Sequence, residues 1–164
     1  MSGLVTVFIG RRGSGKTTLS KKLLDKKPEE MKVMIYDINN EYQDYYKEPF
    51  EDWQIFMSKF PDLKNTYLLI EEATIFFDTS DRQEEMKNLL VRARHTQNII
   101  QLNFHSWLSV PKNIFNMCDY VTVFKTNDTI MTVKAKYDYQ DLIDVFNEAR
   151  LSNDGHFHKT ISIY

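Results

Sequence analysis

Cysteine is nearly absent: Cys118 stands alone in 164 residues. One thiol cannot close an intramolecular disulfide, and such scarcity suits a reducing compartment. Glycine and proline are also few, five and four. No stretch has the composition of a linker, a repeat or a low-complexity segment, so a single domain spanning 1–164 is expected. No apolar run approaches the ~18 residues of a membrane span. The first residues lack the charged-then-apolar form of a secretory leader. Neither sign of charge dominates: 21 Lys and Arg face 23 Asp and Glu, a net charge of −2. There is therefore no overall basic footprint of the kind that announces nucleic-acid binding.

Apolar residues are plentiful at 42%, with 13% aromatic, enough for a well-filled core. The most informative segment is Gly10-Arg11-Arg12-Gly13-Ser14-Gly15-Lys16-Thr17, a complete G-x-x-x-x-G-K-[ST] loop. It follows the apolar run Leu4 to Ile9 and opens a helical pattern from about 15 to 26. Backbone N–H groups of such a loop converge on one concavity at the positive end of a helix dipole. The pattern implies binding of a nucleoside triphosphate, here ATP with Mg²⁺. Gly10, Arg12, Gly13, Ser14, Gly15, Lys16, Thr17 and Thr18 are its candidate ligands. Lys16 would reach the β- and γ-phosphates, and the Thr17 hydroxyl would ligate the metal.

Elsewhere, strand-like runs alternate with helical patterns. This predicts an α/β three-layer sandwich, with a mostly parallel central sheet and helices on both faces. Strands are expected at 4–9, 32–38, 67–70, 98–104 and 120–124, then from Ile130 to Ala135, with the tail 160–163 adding an edge strand. Residues 44–61 read as a short helix and loops, their aromatics packing on the sheet. A helix is expected at about 81–95, capped by Asp81 and Glu84, with Met86, Leu89, Leu90 and Ala93 on one face. Pro111 would start a short helix at its first position. Tyr139, Leu142, Ile143 and Phe146 mark a last amphipathic one.

Hydrolysis needs acids as well as a phosphate cradle. The buried run Tyr67 to Ile70 ends in Glu71-Glu72. Glu71 is assigned to the Mg²⁺ shell, through water, and Glu72 to orienting the attacking water. Arg92 and Arg94 follow at the end of the next helix, where their side chains point roughly 200° apart. At least one, Arg94 ahead of Arg92, is expected to act on a neighbouring subunit's site as an arginine finger.

Several segments together resemble the FtsK–HerA superfamily of P-loop ATPases over residues 4–126. They are the loop itself, Asp37-Ile38-Asn39-Asn40-Glu41-Tyr42, Ile70-Glu71-Glu72-Ala73, Arg92-Ala93-Arg94-His95, and Ile99 to Phe104 followed by His105-Ser106 and Val110-Pro111. The resemblance places Asp37 and Glu41 near the nucleotide or a subunit boundary. It also puts His105, with Asn103 as fallback, where the family holds a polar γ-phosphate sensor, commonly Gln. Compact members of this size resemble the genome-packaging ATPases of membrane-containing DNA viruses and related phages. The resemblance thus implies a pentameric or hexameric ring that drives double-stranded DNA into a preformed capsid. It implies capsid or portal-vertex partners, and a location in the virion or the host-cell cytoplasm. Lys112, Lys125, Arg82 and Lys87 are candidate DNA-facing cations, although a solvated surface role suits each of them as well.

Three other readings stay open: a different DNA motor of the superfamily for repair or plasmid transfer, a morphogenesis or secretion ATPase acting on proteins, and a small-molecule kinase. Glu72 to Phe77 faintly resembles the acidic motif of thymidine-kinase-like enzymes. Those enzymes hold a structural zinc with cysteine pairs, which one cysteine cannot supply. His156 and His158 could also share one strand face, but no carboxylate or thiol cluster joins them.

Overall fold

The computed structural model describes residues 3–46, 50, 52–137 and 139–163. Six strands form one sheet in the order β2-β3-β4-β1-β5-β6. They are β1 (Leu4–Ile9), β2 (Lys32–Tyr36), β3 (Thr66–Ile70), β4 (Ile99–Phe104), β5 (Tyr120–Phe124) and β6 (His158–Ser162). All neighbours run parallel except β5 and β6, which pair antiparallel from Tyr120↔Ser162 to Phe124↔His158. β3 is buried along its whole length, as expected of a central parallel strand covered on both faces.

Alternation along the strands divides the core. Val5, Val7, Ile9, Ile100 and Leu102 face the larger cluster. That cluster draws in α2 (Trp53–Ser58), α3 (Ser80–Arg92), α4 (Lys112–Phe115), α5 (Ile130–Lys136) and α6 (Gln140–Leu151). The opposite face receives α1 (Lys16–Asp25), whose Leu24 packs with Ile35, Tyr67 and Leu69. The aromatics at 42–60 do pack inward: Tyr42 and Phe56 are fully buried, and Phe56 meets Tyr36, Phe50, Phe60 and Phe76. Within that segment, residues 47–49 and 51 lie outside the described residues. Among the described residues no helix is long and apolar enough to cross a membrane.

Four local expectations need correction. Ile130 to Ala135 is a helix, not a strand. Thr129 Oγ1 accepts from Thr132 N at 3.2 Å, and Ile130, Val133 and Tyr137 turn inward at helical spacing. β2 stops at Tyr36 because Asp37 leaves the ladder to bind the next turn. Helix α3 begins at Ser80 with Thr79 as its N-cap, which puts Asp81 inside the first turn. It ends at Arg92, where Thr96 Oγ1 takes up the Arg92 carbonyl, so Arg94 lies beyond the helix. Finally, Pro111 is the extended N-cap of α4 rather than its first helical residue.

Candidate nucleotide-binding site

β1 delivers Gly10 to the C-terminal edge of the sheet, and α1 leaves from Gly15. Gly15 has φ +97° and caps the helix, a conformation that L side chains rarely adopt. A Cβ on Gly10 would lie 2.4 Å from Phe124 Cβ, so the loop sits directly on β5. Arg11 N also donates to Lys125 O at 2.8 Å. Lys16 is buried, and its ammonium donates to the carbonyls of Gly10 at 2.6 Å and Arg11 at 3.1 Å. Burial lowers its pKa, while Glu71, Glu72 and Glu41 oppose that shift. Ser14 Oγ is buried beneath the loop with no hydrogen-bond partner among the described residues.

The expected residues gather here. A cleft of about 380 Å³ is lined by Arg12, Gly13, Gly15, Lys16, Thr17, Thr18, Glu71, Glu72 and His105. Glu72 sits just past β3 with φ 56°, in the left-handed region that is uncommon for a residue with a Cβ. Its carboxylate pairs with His105 Nε2. This partner holds the Glu72 pKa below the usual carboxylate value and the His105 pKa above the usual imidazole value. His105 Nδ1 lies 3.2 Å from Lys16 Nζ. In the neutral ring Nδ1 accepts from that ammonium; once protonated it becomes a donor facing a cation.

Glu71 is buried, and burial raises its pKa. Its Oε2 accepts from Asn103 Nδ2 at 2.6 Å and from Tyr42 Oη at 3.0 Å. Asn103 Oδ1 in turn accepts from Gln101 Nε2 at 2.8 Å. The same amide donates to Ser20 Oγ at 2.6 Å, and Tyr67 Oη donates to Gln101 Oε1 at 2.7 Å. This polar relay runs along the sheet beneath α1 and ends on Glu71.

Sequence reasoning missed most of that relay. It also left out of the candidate ligands Glu41, whose Oε2 accepts from Thr17 Oγ1 at 3.0 Å. Asp37 explains how Glu41 arrives there. Its carboxylate accepts from Glu41 N, Tyr42 N and Tyr46 Oη at 2.7–3.0 Å, locking the turn after β2. The D-x-x-x-E-Y segment held the signal, with the acid five residues before Tyr.

Arg92 and Arg94 do not join this cleft within one chain. Arg94 pairs with Asp119, whose other oxygen accepts from Val5 N at 2.8 Å. This lies at the N-terminal end of β1 and β5, opposite the phosphate loop. Arg92 Nη2 reaches Pro61 O at 3.5 Å. Two of the candidate DNA-facing cations are half-buried and engaged within the fold: Lys125 donates to Ser152 O, and Arg82 lies 3.6 Å over the Trp53 ring and donates to Ile75 O. His158 stacks on Phe124 at 5.4 Å, whereas His156 borders the phosphate cleft.

The donor set fits Mg²⁺. Thr17, Glu41, Glu71 and Glu72 offer only oxygen, the preference of a hard cation. Three carboxylates in the cleft would also repel a triphosphate unless a cation intervened. Among the described residues no three His, Cys, Asp or Glu side chains form a ready metal cage.

No protein-family model matches the chain, and no curated protein matches it in sequence. Solved structures do match. B204, the DNA-packaging ATPase from Sulfolobus turreted icosahedral virus, superposes with a TM-score of 0.81 at 16% identity, covering 99% of this chain and 94% of that one. The genome-packaging NTPase B204 of Sulfolobus turreted icosahedral virus 2, solved with ATP-γS, gives 0.74 at 17% identity over 98% and 92%. The VirB11 ATPase of the Brucella suis type IV secretion system gives 0.51 at 17% identity, over 76% of this chain and 44% of that one. The chain thus has the P-loop NTPase fold, and its architecture resembles genome-packaging NTPases over nearly its whole length.

Proposed function

We propose that this protein is a Mg²⁺-dependent ATPase that works as a homo-oligomeric ring and drives double-stranded DNA into a preformed viral capsid. The observation that carries the ATPase reading is the convergence of Lys16, Thr17, Glu71, Glu72 and His105 on one loop-and-helix cradle. The packaging reading rests on the likeness of fold to the B204 proteins.

When bound, Mg²⁺ offsets phosphate charge and orients the β- and γ-phosphoryl oxygens. The loop N–H groups and the α1 dipole hold the phosphates. Lys16 exchanges its contacts with Gly10 and Arg11 carbonyls for phosphate oxygens. Thr17, Glu41 and Glu71 would hold the metal, with Glu71 positioned by Tyr42 and Asn103. Glu72 orients water for in-line attack and takes up its proton. His105 joins Glu72 to Lys16, so it reports whether a γ-phosphate lies between them. Arg94, or Arg92, reaches the site of the adjacent subunit; capsid or portal-vertex proteins receive the ring.

The test is ATP hydrolysis by the purified chain with and without double-stranded DNA, beside Glu72→Gln. Turnover stimulated by DNA, and reduced at least ~10²-fold in the variant with ATP binding kept, is the expected result. Full turnover in Glu72→Gln removes that residue from its role. Hydrolysis indifferent to DNA favours an ATPase acting on protein partners, a reading to which the net charge of −2 also lends weight.

A further inference from the structure

The last antiparallel strand brings a side chain to the phosphate loop that the ATPase scheme above does not use. The turn between α6 and β6 is fixed from within: Asp154 Oδ1 accepts from His156 N at 2.8 Å, and Phe157 N donates to Asp154 O at 3.3 Å. It is also tied to the loop. Lys125 accepts from Arg11 N through its carbonyl and donates to Ser152 O through its ammonium, so one residue links both segments. His158 stacks on Phe124, the same ring that lies against Gly10. The result is that the His156 imidazole stands beside Gly15. A Cβ added to Gly15 would meet His156 Nδ1 at 3.3 Å.

His156 and His105 both line the cleft, but against different parts of it. His105 touches the Lys16 ammonium, which serves the β- and γ-phosphates. His156 stands beside Gly15 of the loop, whose backbone cradles the α- and β-phosphates. Beyond the α-phosphate the nucleotide continues as ribose and base. The imidazole is exposed and lines the cleft. An aromatic ring held in place at the nucleoside end is suited to stacking on a base, which tolerates any base because each has a π-face.

We propose that His156 binds the nucleobase by stacking and forms the outer wall of the nucleotide site. The assignment rests on the ATP-binding reading and extends it to the part of the ligand that the loop motif does not specify. The β5–β6 pairing then serves the ligand, because it is the register Phe124↔His158 that sets His156 over Gly15.

The experiment measures Kd by calorimetry, in Mg²⁺, for ATP and for inorganic tripolyphosphate, with wild type, His156→Ala and His156→Phe. Stacking on one base corresponds to about 5- to 100-fold in affinity. His156→Ala should weaken ATP by that factor and leave tripolyphosphate unchanged, and His156→Phe should restore ATP. Unchanged ATP affinity in His156→Ala overturns the proposal. So does a parallel loss for tripolyphosphate, which would make His156 a phosphate ligand, and so does failure of Phe to restore binding. Circular dichroism and Tm confirm that the variants fold, as expected for an exposed side chain. The two readings fail separately: wild type that binds neither ligand removes the ATPase reading, whereas tight ATP binding by wild type and His156→Ala alike removes His156 alone.

Discussion

The two faces of the sheet are built from different chemistry. On one, Val5, Val7, Ile9, Ile100, Leu102 and Phe104 meet five helices in one large apolar cluster. On the other, a smaller apolar cluster around Leu24, Ile35 and Leu69 is joined by Tyr67, Gln101, Asn103 and Glu71, which run as a hydrogen-bonded file beneath α1. The apolar face supplies bulk cohesion, which is non-directional. The polar face costs desolvation that only complete pairing offsets, and in return it fixes Glu71 at one place. Most of the apolar cohesion and the positioning of Glu71 thus lie on opposite sides of the same strands.

Four substitutions or conditions test that division. Trp107 is fully buried against Phe115, Tyr137 and Phe146 on the apolar side. Trp107→Ala should cost about 3–5 kcal/mol in chemical denaturation, with ATP affinity of the remaining folded protein near wild type. On the polar side, Gln101→Leu removes the acceptor of Tyr67 Oη and the donor to Ser20 Oγ and Asn103 Oδ1. It should cost about 1–3 kcal/mol and, unlike Trp107→Ala, lower the affinity for Mg²⁺-ATP by freeing Asn103 from its place against Glu71. Equal effects on affinity in the two variants would dissolve the distinction between the faces.

The Glu72–His105 pair makes a smaller, pH-dependent contribution. The raised His105 pKa gives stability that is complete below its ordinary 6.5 and fades as pH rises through the raised value. The lowered Glu72 pKa gives stability present above its ordinary 4.5 and lost as pH falls through the lowered value. The Tm difference between wild type and His105→Gln should therefore peak between pH 4.5 and 6.5. Both side chains are partly in solvent, so the peak is modest. Smallest is Arg94→Ala. The guanidinium is 58% exposed, and loss of its pairing with Asp119 should cost under about 1 kcal/mol. If Arg94 serves a neighbouring subunit, turnover of the assembled ring will fall far more than Tm does.

The apolar face was legible in the sequence, because periodic apolar residues betray the element that buries them. β1, β3, β4, the face of α3 and the edge strand β6 all came out in place. The phosphate loop, Glu71 and Glu72 were legible through a fixed pattern next to an apolar run. The polar face was not. Gln101 and Asn103 on a strand look like outward positions, and only α1 lying over them turns them inward. Helix α5 misled for a related reason: Ile130, Thr132 and Val133 favour strands, yet Thr129 caps them as a helix. His156 drew notice only as a neighbour of His158 on one strand face. Nothing local reveals that pairing with β5 separates the two, one onto Phe124 and the other onto Gly15.

The position of β6 also has a consequence for biosynthesis. The phosphate loop precedes β4 and β5 in the chain, yet these are the two strands that β1 pairs with. The wall that His156 places beside Gly15 comes later still. At about 5–20 residues per second, the nascent loop waits for many seconds before its pocket exists. The cradle of this loop is therefore completed by segments made well after the loop itself.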